Sequence, residues 1–201
     1  MNLSFMVLGV TGVIGSGKST ACRILRDEFG FHWIEADRIV AGMYLPGGIG
    51  YKKIKEYFGA QFVGKNGVLR GRLRRAVLKN QQKLWILNKL MHPLIWHEVN
   101  KKIVQLKKED SAARICVEAL YFEPKDLGSY IDELVKIDAS DRIIMMRLKA
   151  RRVPQKQLAA LLYFQRKLLP FAGFKMLKIE NYASKAALKK NMIKYFHAKR
   201  I

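Results

Sequence analysis

An α/β fold, a five-stranded parallel sheet flanked by helices, is the class this sequence predicts, and three observations carry it. The first is Gly12-Val13-Ile14-Gly15-Ser16-Gly17-Lys18-Ser19, which meets the phosphate-loop pattern G-x-x-x-x-G-K-[ST] at every position. The second is its setting. Phe5 to Val10 reads as a buried strand, and Ala21, Ile24, Leu25 and Phe29 recur after the loop at helical spacing. The third is the alternation of short apolar runs with helical periods along the rest of the chain, as crossovers between parallel strands demand.

The loop's chemistry follows from its residue types. Glycines let backbone N–H groups close around phosphate oxygens, Lys18 reaches the β- and γ-phosphates, and the Ser19 hydroxyl holds Mg²⁺. Gly12 through Ser19 are therefore expected to bind a nucleoside triphosphate. Next, Phe31 to Ile34 forms a short strand ending at Glu35-Ala36-Asp37, at the carboxyl edge where ligands bind in doubly wound sheets. Asp37 can there accept an alcohol proton or hold water on Mg²⁺. It is equally suited to cap a helix starting at Arg38.

A turn at Pro46-Gly47-Gly48 leads to a helix over Tyr51 to Phe58, and the glycine-rich stretch Gly59 to Gly71 reads as loop. Leu73 to Leu106 is a long helical pattern. A break is expected near His92, because Pro93 lacks an N–H donor and clashes with the preceding turn. Ala113 to Val117 and Leu134 to Ile137 read as strands. Ser140 or Asp141 caps a helix carrying Arg147 and Arg151, which lie one turn apart on one face. Such a pair can neutralise a transferring phosphoryl group or simply belong to an exposed basic helix. Another helix runs from beyond Pro154 to about Leu169. Met176 to Ile179 is the last strand, and Ser184 starts a final helix with Leu188, Met192, Tyr195 and Phe196 on one face.

The 201 residues are 50% hydrophobic, enough for one α/β domain with an elaboration. Cys22 and Cys116 suit buried thiols rather than a disulfide or zinc framework. No secretory leader and no membrane-length apolar window is visible, so a reducing, cytoplasmic home is expected. Lys and Arg number 38 against 16 acids, a net charge of +22. Between Gly59 and Lys108 there are 12 basic residues and one acid, Glu98. That balance favours a polyanionic substrate, and it keeps nucleic acid open as an alternative partner.

Taken together, these segments resemble the dephospho-CoA kinase family. Thr11 through Thr20 is similar to its T-G-G-I-G-S-G-K-S-T opening, Glu35-Ala36-Asp37 to its D-A-D, and His92-Pro93-Leu94-Ile95 to its H-P-L-I. Ala119-Leu120-Tyr121-Phe122-Glu123 looks like P-L-L-F-E, and Arg147-Leu148-Lys149-Ala150-Arg151 like the lid segment R-L-x-x-R. Gln165 and Lys178-Ile179-Glu180-Asn181 match the family's glutamine and its V-I-D-N.

The resemblance implies a P-loop kinase core over residues 1–45 and 109–201, with a helical lid at about 147–175. Residues 46–108 would be a helical acceptor-binding insertion. It further implies ATP-dependent phosphorylation of the ribose 3′-hydroxyl of dephospho-CoA, with Mg²⁺. Asp37 would be the acid–base residue, with Lys18, Arg147 and Arg151 on the phosphoryl group. Thr20 and Asn181 would join the loop in holding ATP, and Thr11, Asp37 and His92 would meet the acceptor. His92 could otherwise order the helix break before Pro93. The central basic excess would face the acceptor's pyrophosphate. Some positions depart from the pattern: Glu35, Ala119, Arg152 and the stretch Arg166 to Met176. Val117 stands where relatives carry an acid, and strand alternation sends Glu118 to the other face, so the usual second acid is expected to be absent. Two other readings remain: a kinase for another small hydroxyl acceptor, and a nucleic-acid-associated ATP-binding protein.

Overall fold

The computed structural model describes residues 6–122, 130–151, 158–168 and 176–199; Glu123, Arg152 and residues 169–175 lie outside them. In chain order the strands are β1 (Met6–Thr11), β2 (His32–Glu35), β3 (Val63–Gly64), β4 (Gly67–Val68), β5 (Arg114–Glu118), β6 (Glu133–Asp138) and β7 (Met176–Glu180). The helices are α1 (Lys18–Phe29), α2 (Ala36–Met43), α3 (Ile49–Phe58), α4 (Arg70–Leu78), α5 (Gln81–Glu109), α6 (Asp141–Ala150), α7 (Leu158–Leu168) and α8 (Lys185–Lys199). The chain divides into two compact units, residues 1–34 with 103–201, and residues 35–102.

The first unit is built on a five-stranded sheet in the order β2-β5-β1-β6-β7. β1 is central and parallel to both neighbours, with Val10 level with Glu118 on β5 and Thr11 level with Lys136 on β6. From β1 the chain crosses to β2 at one edge, and from the adjacent β6 it goes to β7 at the other, so the carboxyl ends of β1 and β6 flank the switch point at which such sheets bind ligands. Val7, Leu8 and Val10 are all buried, as a parallel strand covered on both faces must be. α1 covers it with Ala21, Cys22, Ile24 and Leu25, and α8 adds Leu188, Met192 and Phe196 to the same core. The start of α8 is fixed by Ser184, whose Oγ accepts the Ala187 N–H at 3.2 Å. Both cysteines are free and buried in this core, and burial pushes the Cys22 thiol well above its ordinary pKa.

The second unit is helical, with Ile54, Phe62, Leu73 and Val77 at its centre. Two sequence expectations need correction here. Pro93 does not break a helix, because α5 runs through it from Gln81 to Glu109. The interruption lies earlier, at Asn80, whose Oδ1 accepts the Lys83 N–H at 3.0 Å and caps the new helix. Pro93 removes one backbone bond, and the buried side chains of Met91, Trp96 and Val99 hold the helix across the gap. The Gly59 to Gly71 stretch is not all loop either. β3 and β4 form a short antiparallel hairpin in which Gly64 pairs with Gly67 across the two-residue turn Lys65-Asn66. No helix among the described residues is long and apolar enough to cross a membrane.

Candidate active site

The phosphate loop turns out of β1 at Gly12 and enters α1 at Lys18. Two of its glycines cannot be replaced. Gly12 has φ 147°, and a Cβ there would lie 2.5 Å from the Ile137 carbonyl oxygen. Gly17 has φ 108°, and its Cβ would collide with the Asn181 side-chain nitrogen.

That collision marks how tightly the loop is held from outside. Asn181 is buried, and its Nδ2 donates to the Ser16 carbonyl at 2.7 Å. Arg147 on α6 donates to the carbonyls of Gly15 and Ser16 at 3.3 and 3.1 Å, and to Asn181 O and Oδ1 at 3.1 Å each. A further bond reaches Ala183 O at 3.3 Å. In a trans peptide, a carbonyl pinned one way turns the following N–H the other way. Anchoring Ser16 O therefore fixes the direction of the Gly17 N–H at the start of α1, one of the first-turn donors a helix cannot satisfy itself. Burial, with the like charge of Arg151 added, lowers the Arg147 pKa, but a guanidinium stays charged throughout the working range. The structure thus gives Arg147 an anchoring duty that the sequence did not suggest. Arg147→Met should lower stability by about 2 kcal/mol in urea unfolding, because it strands several carbonyls at once. An unchanged midpoint would show that water replaces these bonds without loss.

Arg151 follows α6 as its C-cap, its backbone N–H donating to Arg147 O at 3.2 Å, and its guanidinium makes no hydrogen bond or ion pair among the described residues. Its side chain lines an open cleft of about 380 Å³ together with Gly15, Gly17, Thr20, Arg147 and Lys185. Loop glycines, the first turn of α1 and three cations thus share one cavity, a donor set suited to a polyphosphate.

The second acid, expected to be missing, is present. Ser19 Oγ donates to Glu118 Oε1 at 2.7 Å, while Val117 is wholly buried. Alternation does turn Val117 into the core. Glu118 shares its face of β5 with Cys116, which packs with Ala21 and Cys22 of α1, so the same alternation points Glu118 to the α1 side of the sheet. Thr11 is fully buried, and its hydroxyl donates to the Leu120 carbonyl at 2.7 Å, tying β1 to the segment after β5. Lys18 Nζ donates to Val13 O at 3.3 Å. On the loop's other flank, the Ile14 N–H donates to Gln165 Oε1 at 2.7 Å.

Asp37 and His92 belong to the second unit. α2 begins at Ala36 with Glu35 in the N-cap position, so Asp37 is not the cap but an exposed residue of the first turn. That frees its carboxylate from backbone duty. His92 accepts the Trp96 Nε1–H on Nε2 at 2.9 Å, which makes Nδ1 the protonated nitrogen of a neutral ring. With α5 unbroken, His92 orders no helix break; it pins the indole one turn away.

Sequence reading missed Glu118, Lys185 and the part played by Gln165. Glu118 could have been found by putting Cys116, two residues before it, on the side of the sheet that α1 covers. Nothing distinguished Lys185 from the other lysines.

Residues 6–166 match the sequence profile of the family described as dephospho-CoA kinase. The dephospho-CoA kinase of Carboxydothermus hydrogenoformans is 36% identical over 146 residues, covering 72% of this chain and 70% of that protein. Among solved structures, TT1252 from Thermus thermophilus superposes with a TM-score of 0.75 at 22% identity, covering 98% of each chain. The dephospho-CoA kinase from Campylobacter jejuni superposes with a TM-score of 0.52 at 21% identity, covering 96% of this chain and 97% of that one. At these identities the two structures speak for the fold.

Proposed function

The chain belongs to the dephospho-CoA kinase family, and on that premise we propose that it transfers the terminal phosphoryl group of ATP to the ribose 3′-hydroxyl of dephospho-CoA, releasing CoA and ADP. The observation that supports this most is the contact between Ser19 and Glu118 at the head of a complete phosphate loop. P-loop enzymes hold their metal with such a hydroxyl and a strand-terminal acid. The described residues contain no cluster of three metal-binding side chains, which suits an ion held by one or two protein groups and the substrate's phosphates. Ser19 and Glu118 would hold Mg²⁺ there, and the ion would supply positive charge against the charge that develops during phosphoryl transfer.

The chain's own residues do the rest. Loop N–H groups and Lys18 hold the triphosphate, Thr20 adds a hydroxyl at the start of α1, and Arg151 offers its charge to the phosphates. Asn181 and Arg147 keep the loop in shape. Asp37 takes the proton of the 3′-hydroxyl as it attacks, and its carboxylate is replaceable by no neighbouring acid in the first turn of α2. We assign the acceptor to the helical unit, where Arg70, Arg72, Arg74 and Arg75 on α4 are exposed and can draw in a pyrophosphate. We assign the reaction to the cytoplasm, where ATP is supplied.

Glu118→Gln should raise the Mg²⁺ concentration for half-maximal rate by about 10–100-fold. A magnesium titration of turnover that matches the wild type would remove Glu118 from the metal site. The function itself is tested by an ADP-release assay with dephospho-CoA beside a nucleoside, a nucleotide and a simple sugar. ADP should form rapidly with dephospho-CoA alone; a larger kcat/KM for another acceptor would replace this assignment.

A further inference from the structure

Two contacts on the phosphate loop fall on a single peptide unit. Lys18 Nζ holds the carbonyl of Val13, and Gln165 Oε1 holds the N–H of Ile14, the other end of the same bond. The bond is trans, so its oxygen and hydrogen point in opposite directions. Lys18 therefore grips the plane from one edge and Gln165 from the other. Only an oxygen can accept an N–H, so the glutamine's orientation is set by the contact itself.

The side chains flanking this peptide are fixed by the same part of the chain. Val13 is buried with Ile144 and Leu148 of α6 and Leu158 and Leu162 of α7, and Ile14 packs against that cluster. Leu158, Leu162 and Gln165 follow at intervals of four and three residues, so they share one face of α7. That face thus presents two apolar residues to the loop's side chains and one acceptor to its backbone.

We propose that Gln165 is a positioning residue for Lys18. By holding the Ile14 N–H, it keeps the Val13 carbonyl turned toward the ammonium and so sets where that charge rests when a triphosphate arrives. Without the glutamine, one edge of the peptide loses its anchor, and the plane can turn about the Cα–C bond of Val13 and the N–Cα bond of Ile14. The carbonyl then leaves Lys18, and the ammonium loses that contact. Because Gln165 sits on α7, the placement of the loop's lysine depends on that helix. The inference rests on the proposed function only in taking the loop to bind a triphosphate.

Calorimetry with Mg·ATP tests it in wild type, Gln165→Leu, Gln165→Glu, Lys18→Met and the Lys18→Met/Gln165→Leu double variant, each first shown to melt cooperatively. Gln165→Leu should weaken binding by about tenfold, the weight of one well-made hydrogen bond. Gln165→Glu keeps an acceptor oxygen at the same reach and should stay within about threefold of wild type. In the Lys18→Met background, Gln165→Leu should change affinity by less than about twofold, because the residue acts through the lysine. Gln165→Met takes the place of Gln165→Leu if the latter does not fold. Wild-type affinity in Gln165→Leu, no recovery in Gln165→Glu, or a full additional loss in the double variant would each overturn the proposal. If the wild type binds Mg·ATP but does not phosphorylate dephospho-CoA, the proposed function fails and this inference stands. If turnover is normal and Gln165→Leu binds ATP like the wild type, only this inference fails.

Discussion

Asp37→Asn is expected to lower kcat by about 10²–10⁴-fold, the usual weight of a general base, with KM for ATP unchanged. The substitution keeps size and polarity and removes only the ability to take a proton. Its side chain is exposed in the first turn of α2 and is not the N-cap, so little structure depends on it. Losing a negative charge near a helix N-terminus costs at most about 1 kcal/mol, so the protein should fold normally. The same aspartate could instead hold a metal-bound water, and the two roles separate cleanly. A base is not replaced by more Mg²⁺, whereas a metal-side role would be largely rescued by it. Retention of more than a tenth of wild-type kcat would remove Asp37 from the chemistry.

Lys18→Met is expected to have the other large effect, about 10²–10³-fold in kcat/KM. Methionine keeps most of the lysine stem and discards the charge. The ammonium is the only cation of the loop itself, and it lies within 3.3 Å of the Val13 carbonyl, already drawn over the turn that cradles the phosphates. Its interaction should strengthen as charge builds on the transferring group, so kcat should fall more than affinity for ATP. Arg147 cannot stand in for it, since that guanidinium is bound to the carbonyls of Gly15, Ser16, Asn181 and Ala183. Steady-state kinetics over a range of ATP concentrations checks this. A variant slowed only through KM would mean that the lysine binds ATP without assisting transfer.

The nucleotide half of the molecule was legible because its chemistry uses few residue types in a fixed order. A strand, Gly12, Gly17, Lys18 and Ser19 leave little freedom, and the alternation of strands and helices implied the five-stranded parallel sheet, though not its order. What escaped had physical reasons. Alternation along β5 held, but only packing shows that the face of Cys116 and Glu118, not that of Val117, is the one covered by α1. Pro93 carries a penalty that burial of Met91, Trp96 and Val99 exceeds, a balance set by packing rather than by local sequence. The duties of Arg147 and Gln165 rest on contacts 131 and 151 residues away in the chain, beyond any local pattern. The hairpin turns at Lys65-Asn66, which carries no strong two-residue turn signal, and the glycines on either side read as loop.

Phosphoryl transfer at the Lys18 loop is tested most directly by following the label from γ-labelled ATP in a single turnover with dephospho-CoA. All of it should appear as a phosphomonoester on the 3′-oxygen of the acceptor ribose, with ADP in equal amount. Label released as inorganic phosphate, or found on any other acceptor oxygen, would contradict the assignment of both the reaction and its base.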